Sequence, residues 1–433
     1  MIRFNQTIEK TIEIVSKRVD LGQTATKPRL VRGMTGAMTV ILPDDLYLDP
    51  TVRQSLAEEL HENLGPYSLG EESILLTESD LFDREDVWES PHLVESSDEA
   101  VLVMDRTLSN QEWLREPVVD TLPIPTATAF SIKGGVGRST AVAVWAWGLA
   151  RQGKRVLVID LDLEAPGIAS LLLNQLPTYG VVDWMMESLV QQADDALLTQ
   201  MIQNSPLSTQ CEGTIQVIPA YGTEGKDYVS KLGRIYTPTW DVMGQLQSIA
   251  FRLNALLNAV ANFNPAPDVV LLDARAGLHD IGAMVISQLP TKVFLFARNE
   301  AQTWPSYQRL FDHLQQSRCV QPGMPNNDIR WRLKMVAAQL GREDQDFEDA
   351  VRCSHDTWKS LYDAPLEVLE SHTDRPHYPI PIYSESLLSR KSLVLPGQCP
   401  PWSVVEKAFG RFITEATARL FETKGASDHA ETR

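Results

Sequence analysis

Thr126-Ala-Thr-Ala-Phe-Ser-Ile132 runs directly into Lys133-Gly-Gly-Val-Gly-Arg-Ser-Thr140, and Ala141 to Gln152 continues with an apolar, helix-forming composition. An apolar run that ends in a glycine-rich turn and resumes with helical composition reads as strand, loop and helix. Glycines 134, 135 and 137 permit backbone conformations in which successive N–H groups converge on one point. A helix starting near Ser139 adds the positive end of its dipole to that point, so the natural occupant of the turn is a phosphate. The Ser139 hydroxyl, with Thr140 beside it, is suited to ligating a hard divalent cation.

Downstream of this turn, short apolar strands alternate with helical stretches: Arg155-Val-Leu-Val-Ile159, Gln216-Val-Ile-Pro219, Val269-Val-Leu-Leu272, Lys292-Val-Phe-Leu-Phe296 and Leu333-Lys-Met-Val-Ala337. That alternation predicts an α/β fold, a doubly wound and mostly parallel sheet with helices on both faces. Two of the strands end in carboxylates. Val158-Ile-Asp-Leu-Asp-Leu-Glu-Ala-Pro-Gly167 places Asp160 and Asp162 one residue apart, so both project to the same side. Val269-Val-Leu-Leu-Asp273 ends in an aspartate, and Ala274-Arg-Ala-Gly277 follows it. One carboxylate of such a pair can hold a metal's water shell while the other orients an attacking water.

Together these three motifs resemble the ParA/MinD group of P-loop ATPases, whose deviant Walker A loop reads K-G-G-x-G-K-[ST]. The combination K-G-G-V-G-R-S-T, D-L-D-L-E-A-P-G and D-A-R-A-G-L-H-D-I-G resembles more narrowly an arginine-variant branch found in bacterial regulatory and conflict-type systems. The resemblance covers roughly residues 126–425 and implies ATP and Mg2+ as ligands. It implies a cradle made by Gly134, Gly135, Val136, Gly137, Arg138, Ser139 and Thr140, with Gly277 touching the terminal phosphate. It further implies Lys133 as the signature lysine that reaches a partner's phosphates, and Asp162 as the residue that positions water. Ser139, Asp160 and Asp273 are then the metal-side residues. Arg138 stands where the group carries its second lysine, which keeps the charge but not the compact ammonium, so hydrolysis is expected to be slow. Arg275 is read as a charge sensor, a partner contact or a surface ion pair. His279 and Asp280 are read as a polar loop-to-helix junction rather than a general base. Arg298-Asn299 and Pro379-Ile-Pro381-Ile-Tyr383 are candidate adenine-side segments.

The chain is expected to divide into a small acidic α/β regulatory or interaction domain (1–120), a stiff linker (121–125), the ATPase domain (126–425) and a disordered tail (426–433). In the first of these, Asn5 to Val19 is spaced as a helix, and Asp49-Pro50 opens another that runs to about Leu64 before Gly65-Pro66. Met38–Leu42, Ser73–Thr77 and Ala100–Met104 read as strands, with an acidic, loop-rich stretch at Glu78 to Glu99. Trp402 to Glu422 spaces its apolar residues as a helix and mixes acids with bases on the other face, which favours packing on the core over gripping a membrane.

Charge and cysteine usage narrow the function classes. Residues 1–120 carry 24 Asp/Glu against 11 Lys/Arg, a balance of −13, which leaves −5 of the total of −18 for the rest. That acidity, with no dense basic run, disfavours nucleic acid and anionic membrane as partners. Four scattered cysteines, with no C-x-x-C pair, fit free thiols in a reducing compartment. No apolar run reaches the length of a membrane span and no signal-peptide pattern opens the chain, so the expected location is the cytoplasm. The leading functional expectation is an ATP-dependent switch. It would form a nucleotide-sandwich homodimer and act on a protein partner through the N-terminal domain or switch loops. The alternatives are a ParA/MinD-like positioning ATPase on DNA or membrane, and a non-hydrolysing nucleotide-bound scaffold.

Overall fold

A computed structural model of the 433-residue chain describes residues 2–422, apart from 20–25, 47, 83, 91–92, 97–99, 108, 116–121, 241–245, 290, 318, 321–327, 363–373, 387, 389–392 and 395–398. Residue 121 of the expected linker and the whole expected tail therefore lie outside the described residues. The chain separates into two compact units, Met1–Arg115 and Glu116–Arg433.

Unit 1 contains α1 (Thr7–Arg18), β1 (Arg29–Arg32), β2 (Met38–Leu42), α2 (Pro50–Leu64), α3 (Glu71–Ile74), β3 (Leu75–Thr77), α4 (Arg84–Val87), β4 (Val94–Glu95) and β5 (Leu102–Asp105). Its strands form one mixed sheet in the order β3-β2-β1-β5-β4. Alternation along β1 and β2 divides the sheet's two faces. Leu30 and Val40 pack with α1 and α2 residues such as Ile14 and Leu60, whereas Val31 and Ile41 pack with Trp88 and Met104. Helix α2 begins as its sequence dictates: Asp49 accepts from the Thr51 N–H at 2.9 Å, Pro50 takes the first turn, and Gly65 ends it with a φ of 52°. The expected strand at Ser73–Thr77 is half replaced. Gly70 starts the short helix α3, Glu71 and Glu72 sit in its first turn where acids favour a helix start, and only Leu75–Thr77 remains extended.

Unit 2 opens with β6 (Thr126–Ser131), α5 (Arg138–Arg151) and β7 (Arg155–Leu161), followed by α6 (Ile168–Leu172), α7 (Val181–Leu189), α8 (Asp195–Met201), β8 (Gln203–Asn204), β9 (Thr214–Ile218) and α9 (Tyr228–Ile235). An antiparallel pair, β10 (Thr239–Trp240) and β11 (Leu246–Gln247), precedes α10 (Ile249–Asn262), β12 (Val269–Ala274), α11 (Asp280–Ala283), β13 (Lys292–Ala297) and α12 (Thr303–Gln316). The unit closes with β14 (Leu333–Leu340), α13 (Asp344–Trp358), β15 (Ile380–Tyr383) and α14 (Trp402–Phe421). Eight strands form one sheet in the order β15-β14-β13-β6-β12-β7-β9-β8, parallel throughout except for the β8–β9 pair. The expected α/β fold with a mostly parallel, doubly wound sheet is the fold found.

Strands β6 and β12 are buried along their whole length, which a sheet covered on both faces requires. Ala127, Ala129, Val156, Val158, Val269 and Leu271 share one core cluster with α5 and α14. Helix α5 is apolar almost all round because it lies enclosed, with Ala141 to Ala150 buried. Trp145, Phe294 and Phe412 meet edge to face there, with centroids 5.2 to 6.0 Å apart. Helix α14 contributes Val405, Phe409, Phe412, Ile413 and Leu420 to the same core, as its spacing foretold.

Candidate functional site

The alternation that builds the core also builds the site. Continuing the parity of Ala129, Val158 and Leu271 by one step puts Ser131, Asp160 and Asp273 on the α5 face of the sheet, at the carboxyl ends of β6, β7 and β12. Register brings them together: Asp273 pairs with Asp160 on one side and with Ala129 on the other. The chain leaves β6, turns through the glycine-rich loop and starts α5 directly over these carboxylates.

Within that loop Gly135 and Gly137 have φ values of 75° and 84°, conformations that side chains other than glycine rarely adopt. A Cβ added at Gly134 or Gly135 would project into open space, so the outer side of the turn is free to receive a ligand. Val136 is buried and anchors the turn, whereas Lys133 is exposed at its start. Ser139 and Thr140 are half-buried in the first turn of α5. The Ser131 hydroxyl donates to the Lys133 carbonyl at 2.9 Å, and the Gly277 N–H donates to the Ser131 carbonyl at 2.9 Å. Gly277, with a φ of 97°, is thereby held against the base of the loop.

Arg138 turns inward. Its Nε donates to Asp273 Oδ1 at 2.8 Å, Nη1 to Ser131 Oγ at 2.9 Å and Nη2 to Asp162 Oδ2 at 3.0 Å. Burial works against this guanidinium, but the Asp273 and Asp162 carboxylates outweigh it and hold its pKa above the ordinary value. Asp160 is fully buried, and its two oxygens accept from the backbone N–H groups of Asp162 at 3.1 Å and Gly167 at 3.2 Å. Burial first, and the neighbouring Asp273 second, push the Asp160 carboxyl well above the usual range. Burial raises Asp162 as well, against the pull of Arg138. Two carboxylate oxygens in the cluster, Asp162 Oδ1 and Asp273 Oδ2, are buried without a hydrogen-bond partner.

Three features of the site have weak or no signatures along the chain. Gln339, at the end of β14, donates from its amide to the Gly135 carbonyl at 2.9 Å. Glu164, in the loop after β7, accepts from Arg275 at 3.0 Å and from the Tyr236 hydroxyl, so the segments following β7 and β12 share one anchor. Tyr228 donates to the Leu163 carbonyl in the same loop. Of the readings offered for Arg275, the ion pair is the one present. Arg298 pairs with Glu300 at 3.2 Å, and Asn299 accepts from the Trp304 indole at 3.0 Å. A cavity of about 480 Å3 opens beside the ends of β14 and β15, lined by Arg342, Asp344, Phe347, Tyr378, Tyr383 and Lys407 and by no residue of the glycine loop. Among the described residues no helix is long and apolar enough to cross a membrane.

Residues 126–220 match the model of a family described as AAA domain. The chain is similar to a ParA family ATPase from Chlorobium tepidum TLS, at 17% identity over 67% of this chain and 98% of that one, with a TM-score of 0.44. It is similar to pNOB8 ParA bound to nonspecific DNA, at 16% identity over 69% and 98%, with a TM-score of 0.43. It is also similar to the MinD cell division protein of Aquifex aeolicus, at 16% identity over 69% and 97%, with a TM-score of 0.40. The group named by these structures is the group that the three motifs resemble. One expectation is corrected. Acidity had disfavoured nucleic acid as a partner, yet a structure of this kind holds nonspecific DNA. Total charge is a poor guide because binding to phosphates depends on local cations, and most of the negative balance sits in residues 1–120.

Proposed function

We propose that this chain, with the loop and carboxylate strands of a ParA/MinD-type deviant-Walker-A P-loop ATPase, is an ATP-dependent positioning ATPase. Its nucleotide-bound form pairs with a second copy and engages nonspecific DNA as its track. The observation that carries the reading is the left-handed pair Gly135 and Gly137, open on one side and poised at the N-terminus of α5 above Asp160, Asp162 and Asp273. Backbone N–H groups in such a turn, with the helix end behind them, suit a polyphosphate.

The chain's residues divide the work by position. Gly134 to Thr140 hold the phosphates, and exposed Lys133 is free to reach across to a second copy's nucleotide. The Gly277 N–H is held by the Ser131 carbonyl, so it would meet the terminal phosphate only when that bond opens. Loss of that phosphate would be felt there and passed through Arg275 to Glu164 and Tyr236. Asp162 would orient water, but it is held by Arg138, so turnover is slow until that contact opens. DNA enters the proposal because one of the similar structures holds it. A divalent cation would require oxygen ligands from Ser139, Asp160 and Asp273. Asp160 accepts from two backbone amides and Asp273 Oδ1 from Arg138, so the Ser139 hydroxyl and Asp273 Oδ2 are the oxygens through which the chain would meet the ion or its water shell.

The test is size analysis of wild type and Lys133→Ala with ATP, ADP and no nucleotide, followed by titration of nonspecific duplex DNA at graded salt. An ATP-dependent dimer, lost in the variant and binding DNA with a falling salt dependence, is the expected result. A chain that binds no ATP, or stays monomeric and indifferent to DNA in every state, would overturn the reading.

A further inference from the structure

We infer that Ser131 is a positioning residue for hydrolysis: its hydroxyl locks the Arg138 guanidinium onto Asp162 and lets it go when the glycine-rich loop fills. This rests on the proposal that the loop holds ATP, and it goes further by naming the residue that delays turnover until the nucleotide is seated.

Ser131 is the last residue of β6 and continues the face that carries Ala127 and Ala129. Alanine meets the packing at both earlier positions on that face, so what serine adds is a hydroxyl. The residue is fully buried, where a hydroxyl without partners is destabilising. Its one proton goes to the Lys133 carbonyl at 2.9 Å, which leaves an oxygen lone pair for the N–H of Arg138 Nη1, also at 2.9 Å. The backbone carbonyl of the same residue accepts from the Gly277 N–H at 2.9 Å. One residue thus touches the start of the loop, the guanidinium beside the carboxylates and the segment after β12.

The contacts of Arg138 show what the hydroxyl controls. Nε on Asp273, Nη1 on Ser131 and Nη2 on Asp162 fix a planar group at three points. The two carboxylates do not hold it equally. Asp273 is fully buried and keeps the cation, whereas the Asp162 side chain is 15% exposed and can take water in its place. With the Ser131 contact gone, the guanidinium pivots about its bond to Asp273 and carries Nη2 away from Asp162. A phosphate gathering the loop amides shifts the Lys133 peptide, so the Ser131 proton loses its acceptor and the hydroxyl turns away from Nη1. Gly277, leaving the Ser131 carbonyl for the terminal phosphate, loosens the same residue from the other side.

The experiment measures steady-state hydrolysis of ATP with Mg2+ by the full chain, as wild type, Ser131→Ala, Ser131→Cys, Arg138→Lys and the Ser131→Ala/Arg138→Lys double variant. Thermal unfolding confirms that each is folded. Ser131→Ala is expected to raise kcat about threefold or more while KM moves by less than about threefold, and Ser131→Cys, a weaker hydrogen-bonding isostere, to raise it less. In the Arg138→Lys background a single ammonium cannot span Ser131 and Asp162, so adding Ser131→Ala should leave kcat within about twofold. A serine that served only the fold would instead lower stability and kcat together in both backgrounds. A kcat unchanged or lower in Ser131→Ala, or an equal rise in both backgrounds, overturns the inference, and Ser131→Cys decides by the same signs if the alanine variant does not fold. A wild type that binds no ATP would instead remove the nucleotide reading itself, so the two failures are distinguishable.

Discussion

The Gln339 amide donates to the Gly135 carbonyl at 2.9 Å, so the end of β14, two strands away from β6, pins the crown of the glycine-rich loop. Gln339 reaches it from a backbone with a φ of 58°, at the point where the β14–β15 register slips between Ala337 and Leu340. Left-handed backbone at a residue other than glycine is strained, and such strain tends to be kept where position matters.

Two substitutions separate the bond from the strain. Gln339→Ala removes the hydrogen bond and keeps the strained backbone, and is expected to weaken ATP binding about threefold to tenfold. Gln339→Gly removes both, and should weaken ATP binding similarly while unfolding at a higher temperature than Gln339→Ala. Calorimetry and thermal melts read the two effects independently. Equal ATP affinity in all three proteins would deny the side chain any part in shaping the loop.

The Arg138–Asp273 pair is buried on both sides, so breaking it leaves a charge that water cannot reach. Asp273→Ala should lower unfolding free energy by about 3 kcal/mol, measured by denaturant titration. The double variant Arg138→Met/Asp273→Leu should lose less than the sum of its single changes, by about 1 kcal/mol or more. Strict additivity would show that the contact is incidental.

Lys334 gives a pH signature in unit 2. Burial, then the nearby Arg419, pull its ammonium down to about 7 from an ordinary 10.5. Its Nζ donates to the Arg375 carbonyl at 2.8 Å. Below about 7 the lysine is protonated both folded and unfolded. Between about 7 and 10.5 the unfolded chain holds a proton that the folded chain has released, so unfolding free energy rises with pH across that window. Lys334→Met should flatten this rise and stabilise the protein most at the acidic end. An identical slope in the variant would assign the pH dependence to other groups.

Phe412→Ala tests the enclosure of α5. The ring touches Trp145, Phe294 and Phe296 edge to face, and its loss should cost about 3–5 kcal/mol by denaturant unfolding. A loss under about 1 kcal/mol would mean that α14 is loosely seated.

How far the chain could be read in advance depended on whether a feature was local. The middle of the sheet was legible because β7, β12 and β13 are nearly continuous buried apolar runs, and helix α2 because Asp49, Pro50 and Gly65 mark its ends within the chain. The convergence of Asp160 and Asp273 followed from two strand ends with matching parity. The direction of Arg138 did not follow, because its choice between phosphate and carboxylate depends on partners 24 and 135 residues away. Glu164 with Tyr236, 72 residues apart, has no periodic signature at all. At Ser73 a strand-like composition yielded to the glycine and paired acids just before it.

Helix α5 is walled in from Ala141 to Ala150, and a Cβ added at Gly148 would lie 2.9 Å from Ile413. A rod wedged this firmly cannot tilt or slide when its tip meets a ligand. Whatever message an arriving phosphate sends must travel sideways along the rim, through the stretches after β7 and β12, rather than down the rod into the interior. Amide exchange with and without ATP would then show a quiet centre and a responsive edge.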